Sequence, residues 1–534
     1  MASIIQKKPT TMCLVNENVL AIINYKEIIM TKIIRILSIF MVLALMTVSF
    51  AGCKNENNES YTESWIEWEE EVGGNNGDTA ASGDNNTTNK DNNNNNNNNK
   101  TSGSNNGGTT TVAPVADEKY FPSDWLNKRT EYEKKNPPYN VAKKLKGTTV
   151  KFATWIDHTK SEGANAWKTF EKATGIKIEW VNIPQSEYTT KLASMINSGE
   201  APDVFVENNE TFPTILKLAQ PLNKVSTMDL NDPIWDQSVI KAGTFGNNPY
   251  LINTKYSIWN GGDSVYYNKR AFEDNGLLTP QDYIDAGQWT MDNLIKCMTE
   301  FKAINSSYNG GALNGQYLAA ALGSSLVYMK NGKFVSGVND AAFTKGMQIY
   351  NKMKDNQLLG GNEKGFMDGT TAVYFVGTMG LKKTGVFKGM DPDDLGVAPI
   401  PAIDGKTTPK TSAIFRTYGI CQGAKNAEGA AYFLRYFLDP LNYDYDTAFM
   451  NDDARDYFIN NISGVSADQK HFNFTDCAAR VFGYSVSERT KWYAALATAD
   501  SSQFTVELQK LSNEINSAVN KCNSIIDEVI QRDK

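Results

Sequence analysis

Hydrophobic positions along the chain fall into two regimes, with a boundary near residue 120. Beyond it, apolar residues recur at the two periods that define secondary structure. Thr149 to Ile156 is β-branched and aromatic and reads as a strand; Ile176 to Val181 and Asp203 to Val206 read as two more. Between them, Glu162 to Thr174 carries Trp167, Phe170 and Thr174 at helical spacing and stops at Gly175. Ser186 is placed to cap a helix with Tyr188, Leu192 and Met195 on one face. The order β-α-β-α-β predicts a largely parallel sheet with helices on its faces. Further helices are predicted from Thr290 (Leu294, Cys297 or Met298, Phe301), from Asn339 (Phe343, Met347, Tyr350, Met353) and over Ala427 to Leu438. Gly396 to Ile400 is strand-like. A long terminal helix places Phe504, Leu508, Leu511, Ile515, Val519, Cys522, Ile526 and Val529 in one stripe, so Cys297 and Cys522 read as core residues.

Before residue 120 the pattern changes. Lys32 and Arg35 precede an apolar run from Ile36 to Phe50, which closes on Ala51-Gly52-Cys53. That is a basic, apolar, small-residue signal, about 15 residues long and short of the roughly 20 that a membrane span needs. The small residues ending at a cysteine resemble a bacterial lipobox, which implies cleavage before Cys53 and lipidation of its thiol. Residues 1–29 precede the signal as an extension outside its pattern, and 30–52 form the signal itself. Residues 53–118 are rich in Asn, Gly, Ser and Thr, with Asn92 to Asn99 an unbroken run. Such a stretch cannot bury enough apolar surface to offset its chain entropy, and it reads as a disordered tether.

The chain has 534 residues and a net charge of −7, which argues against a nucleic-acid partner. Its two histidines, His158 and His471, exclude a multi-histidine metal site, and its six cysteines form no CxxC pair. There is no GxSxG elbow and no phosphate loop. The acidic groups Asp391-Pro392-Asp393-Asp394 and Asp452-Asp453 lack the spacing of a calcium loop. No catalytic residue, metal or cofactor is expected. A secreted glycosidase, whose two carboxylates need no sequence signature, is the enzymatic alternative.

Several segments, in order, resemble the extracellular solute-binding proteins of ABC importers, in the large family that includes the maltose-binding type. They are Val150 to Val181 with Phe170 to Ile178; Tyr188 to Val204 with Ser198-Gly199-Glu200-Ala201-Pro202-Asp203-Val204; Tyr266 to Phe272 with Gly276; Gly287-Gln288-Trp289-Thr290; Phe366 to Met379; Gly396 to Pro401; and Ala424-Lys425-Asn426 with Phe433-Leu434. Val373 stands where the family usually has methionine. The resemblance implies an α/β fold of two discontinuous lobes (the type II periplasmic-binding-protein-like arrangement) with a ligand cleft between them. The first lobe would take about 148–255 and 395–438, the second about 256–394 and 439–534. The implied role is a monomeric, lipid-anchored extracellular receptor that hands a small solute, most simply a sugar or oligosaccharide, to a membrane permease. A polyamine is the alternative ligand. The Tyr266-Tyr267 pair also admits iron, although neighbours on a strand point to opposite faces.

Ligand contacts in such lobes gather at the carboxyl ends of strands. That places Trp155, Asp157 and His158 after the first strand and Glu207, Asn208 and Asn209 after the third. Trp259 and Asn260 fall near the implied crossover, Tyr266 at the start of the second lobe, Gly377 and Met379 in a loop after a strand, and Arg416 and Tyr418 on the return segment. Trp155 and Trp259 are expected to offer faces for stacking on sugar rings. Cys53→Ser is expected to release the protein into the medium or leave it unprocessed. Membrane partition and intact mass of the mature chain check this.

Overall fold

The computed structural model describes residues 116–534 apart from 159–163, 208–210, 314, 402–410, 466–469 and 500–501. Cys53 and its lipidation, the signal, most of the tether, Asn208 and Asn209 therefore lie outside the described residues. In chain order, α1 (Ser123–Lys135) leads into β1 (Thr149–Thr154), α2 (Ala164–Thr174), β2 (Lys177–Asn182), α3 (Tyr188–Asn197) and β3 (Val204–Glu207). Then come β4 (Ser264–Asn268), α4 (Met291–Ile304), β5 (Asn309–Ala312), α5 (Gly315–Ala321), β6 (Val327–Lys330), β7 (Lys333–Ser336), α6 (Ala341–Asp355), β8 (Thr371–Val376) and β9 (Leu395–Ala398). The chain closes with β10 (Thr411–Ala413), β11 (Thr417–Ile420), α7 (Ala427–Phe437), β12 (Lys470–Phe472), α8 (Thr475–Phe482), α9 (Lys491–Thr498) and α10 (Phe504–Arg532).

Two four-stranded sheets form the two lobes. The first has the order β11-β3-β1-β2, with β1 parallel to β2 and β3 and with β11 antiparallel. Its edge strand β2 exposes Lys177 and Glu179, charges that protect an open edge. Phe152, Phe170, Phe433 and Phe437 fill the space between this sheet and the helices α2 and α7. The second sheet has the order β9-β4-β8-β5. Val265, Phe272, Leu294, Met298, Phe301 and Val373 build its own core.

Several local expectations change at the ends of elements. Thr290 caps α4, its Oγ1 accepting from the Asn293 N–H at 3.3 Å. Ser186 does not cap α3; it sits in a short 3-10 turn, Gln185–Glu187, that feeds the helix. Asp340, one residue after Asn339, caps α6 by accepting from the Ala342 N–H. The strand expected at Gly396 runs over Leu395–Ala398 and pairs with β4, so it belongs to the second sheet and not to the first lobe, where the sequence boundary at 395 had put it. The return to the first sheet comes only at β11. Cys297, Cys421, Cys477 and Cys522 are buried free thiols, in accord with the core reading of Cys297 and Cys522.

The sequence pattern did not predict α1, whose face is mostly charged. It is held by ions. Arg435 on α7 is 5% exposed, and its guanidinium meets Asp232 at 2.6 Å, Asp439 at 2.7 Å and Glu133 of α1 at 2.5 Å. Arg129 of α1 meets Asp439 and Glu133 at 2.7 and 2.8 Å. A buried charge is tolerated only when its partners are in place, and removing one member strands the others. Arg435→Ala is therefore expected to cost about 3–5 kcal/mol in urea melts. Lys119→Ala, which breaks an exposed pair with Asp117, should leave the midpoint unchanged.

Candidate functional site

Parallel β1 and β3 send their carboxyl ends to one side of the first sheet. Antiparallel β11 brings its first residue, Thr417, beside Glu207 in the register. The crossover between lobes passes the same place: Ile252 and Tyr418 exchange backbone hydrogen bonds at 2.9 Å. The Asn253 amide donates to the Asn260 Oδ1 at 2.7 Å and to the Arg416 carbonyl at 2.9 Å, tying crossover to return segment. Close approach here needs glycine. A Cβ on Gly262 would stand 2.8 Å from the Ile462 Cδ1 and 3.1 Å from the Ser412 carbonyl.

At this junction lies a small cavity of about 20 Å³. Asp236 and Asn253 line it from the first lobe, Asn260 and Gly261 from the crossover, Ile414 to Thr417 from the return segment, and Phe472 from β12. A carboxylate, two amides and a guanidinium thus share a wall with an aromatic ring. The wall carries both hydrogen-bond donors and acceptors around a space of about one water molecule. Asn260 is already engaged, since its Nδ2 donates to the Lys255 carbonyl at 2.9 Å while its Oδ1 accepts from Asn253.

Of the residues expected at the site, Asn260 and Arg416 line this pocket, and Glu207 stands behind it, bonded by the Thr417 hydroxyl at 2.8 Å. His158, Trp259 and Tyr418 gather around Phe437. The His158 ring stacks on Phe152 and meets Trp259 and Phe437 edge-on at 4.9 and 5.0 Å. Trp259 lies parallel to Phe437 at 5.7 Å, with the Lys382 ammonium 5.8 Å from its ring centre, so its ring is engaged by the protein itself. Trp155 is buried, edge-on against Tyr188 at 5.0 Å. Asp157 is half-buried.

Tyr266 is fully buried in the second lobe, and its hydroxyl donates to the Gly377 carbonyl at 2.9 Å. Thr378, one residue on, accepts from the Gly262 N–H at 2.9 Å. Met379 is half-buried, and its carbonyl accepts from the Val386 N–H. These three positions support the second-lobe side of the crossover. Among the described residues no group of three or more His, Cys, Asp or Glu side chains could hold a metal ion. Sequence reasoning missed Asp236, Asn253, Phe472 and Phe437. Asn253 carried a signal, a lone amide ending the apolar run Tyr250-Leu251-Ile252; the others carried none.

Among the described residues, three buried polar atoms at these strand ends have no hydrogen-bond partner: the Trp155 Nε1, the His158 Nδ1 and the Glu207 Oε1. Burial pushes the His158 imidazole down to about 3, with the Arg416 charge adding to the effect and Asp157 opposing it. Burial pushes the Glu207 carboxyl well up, against the pull of Thr417 and Arg416. The two act oppositely on stability. Below 6.5 the unfolded chain protonates His158 while the folded chain does not until about 3, so acidification destabilises across that window. Glu207 keeps its proton in the folded state, so its contribution is present below 4.5 and is lost as pH rises through its folded value. Above 4.5 the two slopes oppose each other. Glu207→Gln is therefore expected to expose the His158 slope, up to about 1.4 kcal/mol per pH unit lost on acidification relative to wild type. Urea melts at several pH values across that window check this.

The bacterial extracellular solute-binding protein family matches residues 153–442, from β1 to just beyond α7. Among solved structures, the GacH receptor of Streptomyces glaucescens, determined unliganded and with acarbose, is similar over 72% of this chain and 99% of that one, at 16% identity and a TM-score of 0.48. An ABC substrate-binding protein of Listeria monocytogenes, determined with cycloalternan, is similar over 71% of this chain and 98% of that one, at 16% identity and a TM-score of 0.46. The comparison with curated proteins finds no match. The family match takes in more than half of the chain, including most of both sheets and every pocket residue but Phe472, and the chain belongs to the bacterial extracellular solute-binding proteins.

Proposed function

We propose that this chain is the solute-capturing component of an ABC importer, and that its cleft takes a small neutral polyhydroxylated solute, a sugar or oligosaccharide. The observation that carries the reading is membership of the extracellular solute-binding family, with Asp236, Asn253, Asn260 and Arg416 lining a small cavity at the lobe crossover beside Phe415 and Phe472. Sugar hydroxyls both donate and accept, so mixed amide, carboxylate and guanidinium groups suit them better than a single sign of charge. Asp236 and Arg416 put one acidic and one basic group on the same wall, which gives a polyamine no excess of carboxylate and favours a sugar. Lipid on Cys53 would hold the protein at the outer face of the membrane, with residues 54–116 as the spacer and the body acting as a monomer beside its permease. Capture without chemical change suits a receptor that passes its solute on.

The test is a thermal-shift and calorimetric screen with maltotriose and other oligosaccharides, spermidine and Fe(III). A saccharide is expected to raise the melting temperature and to be recovered intact after prolonged incubation. Arg416→Ala should weaken that binding about 10- to 150-fold, the loss of a charged hydrogen bond, without lowering the melting temperature of the free protein. Stabilisation by spermidine alone would replace the sugar reading, and new reducing ends would replace capture with hydrolysis.

A further inference from the structure

Helix α10 is 29 residues long, about 43 Å at 1.5 Å per residue, and its two ends serve different neighbours. Its middle lies on α8 and on the β6–β7 hairpin. The Asn523 side chain binds the hairpin backbone twice, accepting from the Phe334 N–H at 2.8 Å and donating to the Phe334 carbonyl at 3.0 Å, and Lys333 pairs with Asp527. The hairpin is strung in the chain between β5 and β8, two strands of the second sheet. The last turn of α10 reaches the first lobe instead. Arg532 donates to the Lys217 carbonyl at 2.7 Å and to the Ala219 carbonyl at 2.8 Å, at the carbonyl end of the 3-10 turn Thr214–Leu218. The Asp533 carboxylate accepts from the Tyr250 hydroxyl at 2.6 Å, and its carbonyl accepts from the Asn248 amide at 3.2 Å. Glu528 pairs with Lys217 at 2.5 Å.

We propose that the last turn of α10 is a strap across the two lobes, and that Arg532 and Asp533 set how readily the lobes part to admit solute. A second contact crosses at the same level: Phe212 of the first lobe packs against Phe334 at 5.7 Å and Phe474 at 5.4 Å, rings carried by the hairpin and by the start of α8. Aromatic contact is weakly directional and can slide, whereas the guanidinium on two backbone carbonyls is fixed in geometry. Parting the lobes therefore requires the hook to let go. The Phe212 seam then loses its cover. The inference rests on the two-lobed capture reading, but its test needs no solute, so its failure would leave that reading intact.

The test is native hydrogen exchange on the whole chain, comparing wild type with Arg532→Ala and with Tyr250→Phe, which removes a single hydroxyl and spares the fold. The expected result is about tenfold faster exchange in Arg532→Ala, and a smaller acceleration in Tyr250→Phe, at the backbone amides of β6, β7 and Phe474. The central strands β1 and β8 should keep their wild-type rates. Faster exchange confined to the last turn of α10 and to residues 214–219 would overturn the proposal, because the hook would then only fray. Uniform acceleration that includes β1 and β8 would also overturn it, since the contacts would then support global stability alone. Unchanged rates throughout would do the same.

Discussion

Arg435 sits in a space with almost no water and holds three carboxylates from three parts of the chain: Glu133 on α1, Asp232 before the crossover, and Asp439 just past α7. Burying this many charges is tolerated because each has its partners in place. Their mutual need fixes the end of α7, and the end of α7 carries Phe437. Around Phe437 the rings of Phe152, His158, Trp259 and Tyr418 take their positions. The ring cluster beside the pocket thus rests on an electrostatic knot as well as on the sheet beneath it. The same knot recruits α1, a helix with too little apolar surface to dock by burial.

The crossover shows a complementary constraint. Backbone must pass between two lobes without leaving polar groups orphaned, and it does so by extreme economy of side chain. Gly261 and Gly262 let the chain slip past Ile414 and Ile462. Asn253 and Asn260 then supply the hydrogen bonds that a sheet would otherwise provide. A small cavity forms because the joint is built from amides and glycines, which leave room, and is walled by Arg416 and Phe472.

The first βαβαβ unit was legible because its apolar residues alternate or step by helical turns and each step is paid out locally. Long helices were legible for the same reason. The second sheet was harder. Its strands are scattered from Ser264 to Ala398, and β9 can be assigned only by its partner β4, a pairing that no local pattern records. At the site, strand ends were readable but side-chain commitments were not. Trp259 looks from its position like a platform for ligand, yet Phe437, 178 positions later in the chain, takes it up by parallel packing. Tyr266 likewise follows from the strand pattern, but its bond to the Gly377 carbonyl is a property of β4 and β8 together. The Arg435 knot leaves only the i,i+4 spacings of Arg435–Asp439 and Arg129–Glu133 as local traces; the joining of α1, Asp232 and α7 leaves none.

The four buried thiols bear on how such a chain survives outside the reducing cytosol. Burial pushes Cys297 and Cys522 up to about 12 and Cys421 and Cys477 well above their ordinary range. Thiolate is the species that attacks a disulfide or an oxidant, and at neutral pH these sites hold almost none of it. At these four described sites the fold therefore guards against thiol exchange by burial, with no cross-link among them. Exposure is confined to the interval between export and folding, when four unprotected sulfurs travel together. A chain of this design has a kinetic stake in rapid collapse that a cysteine-free homologue would lack.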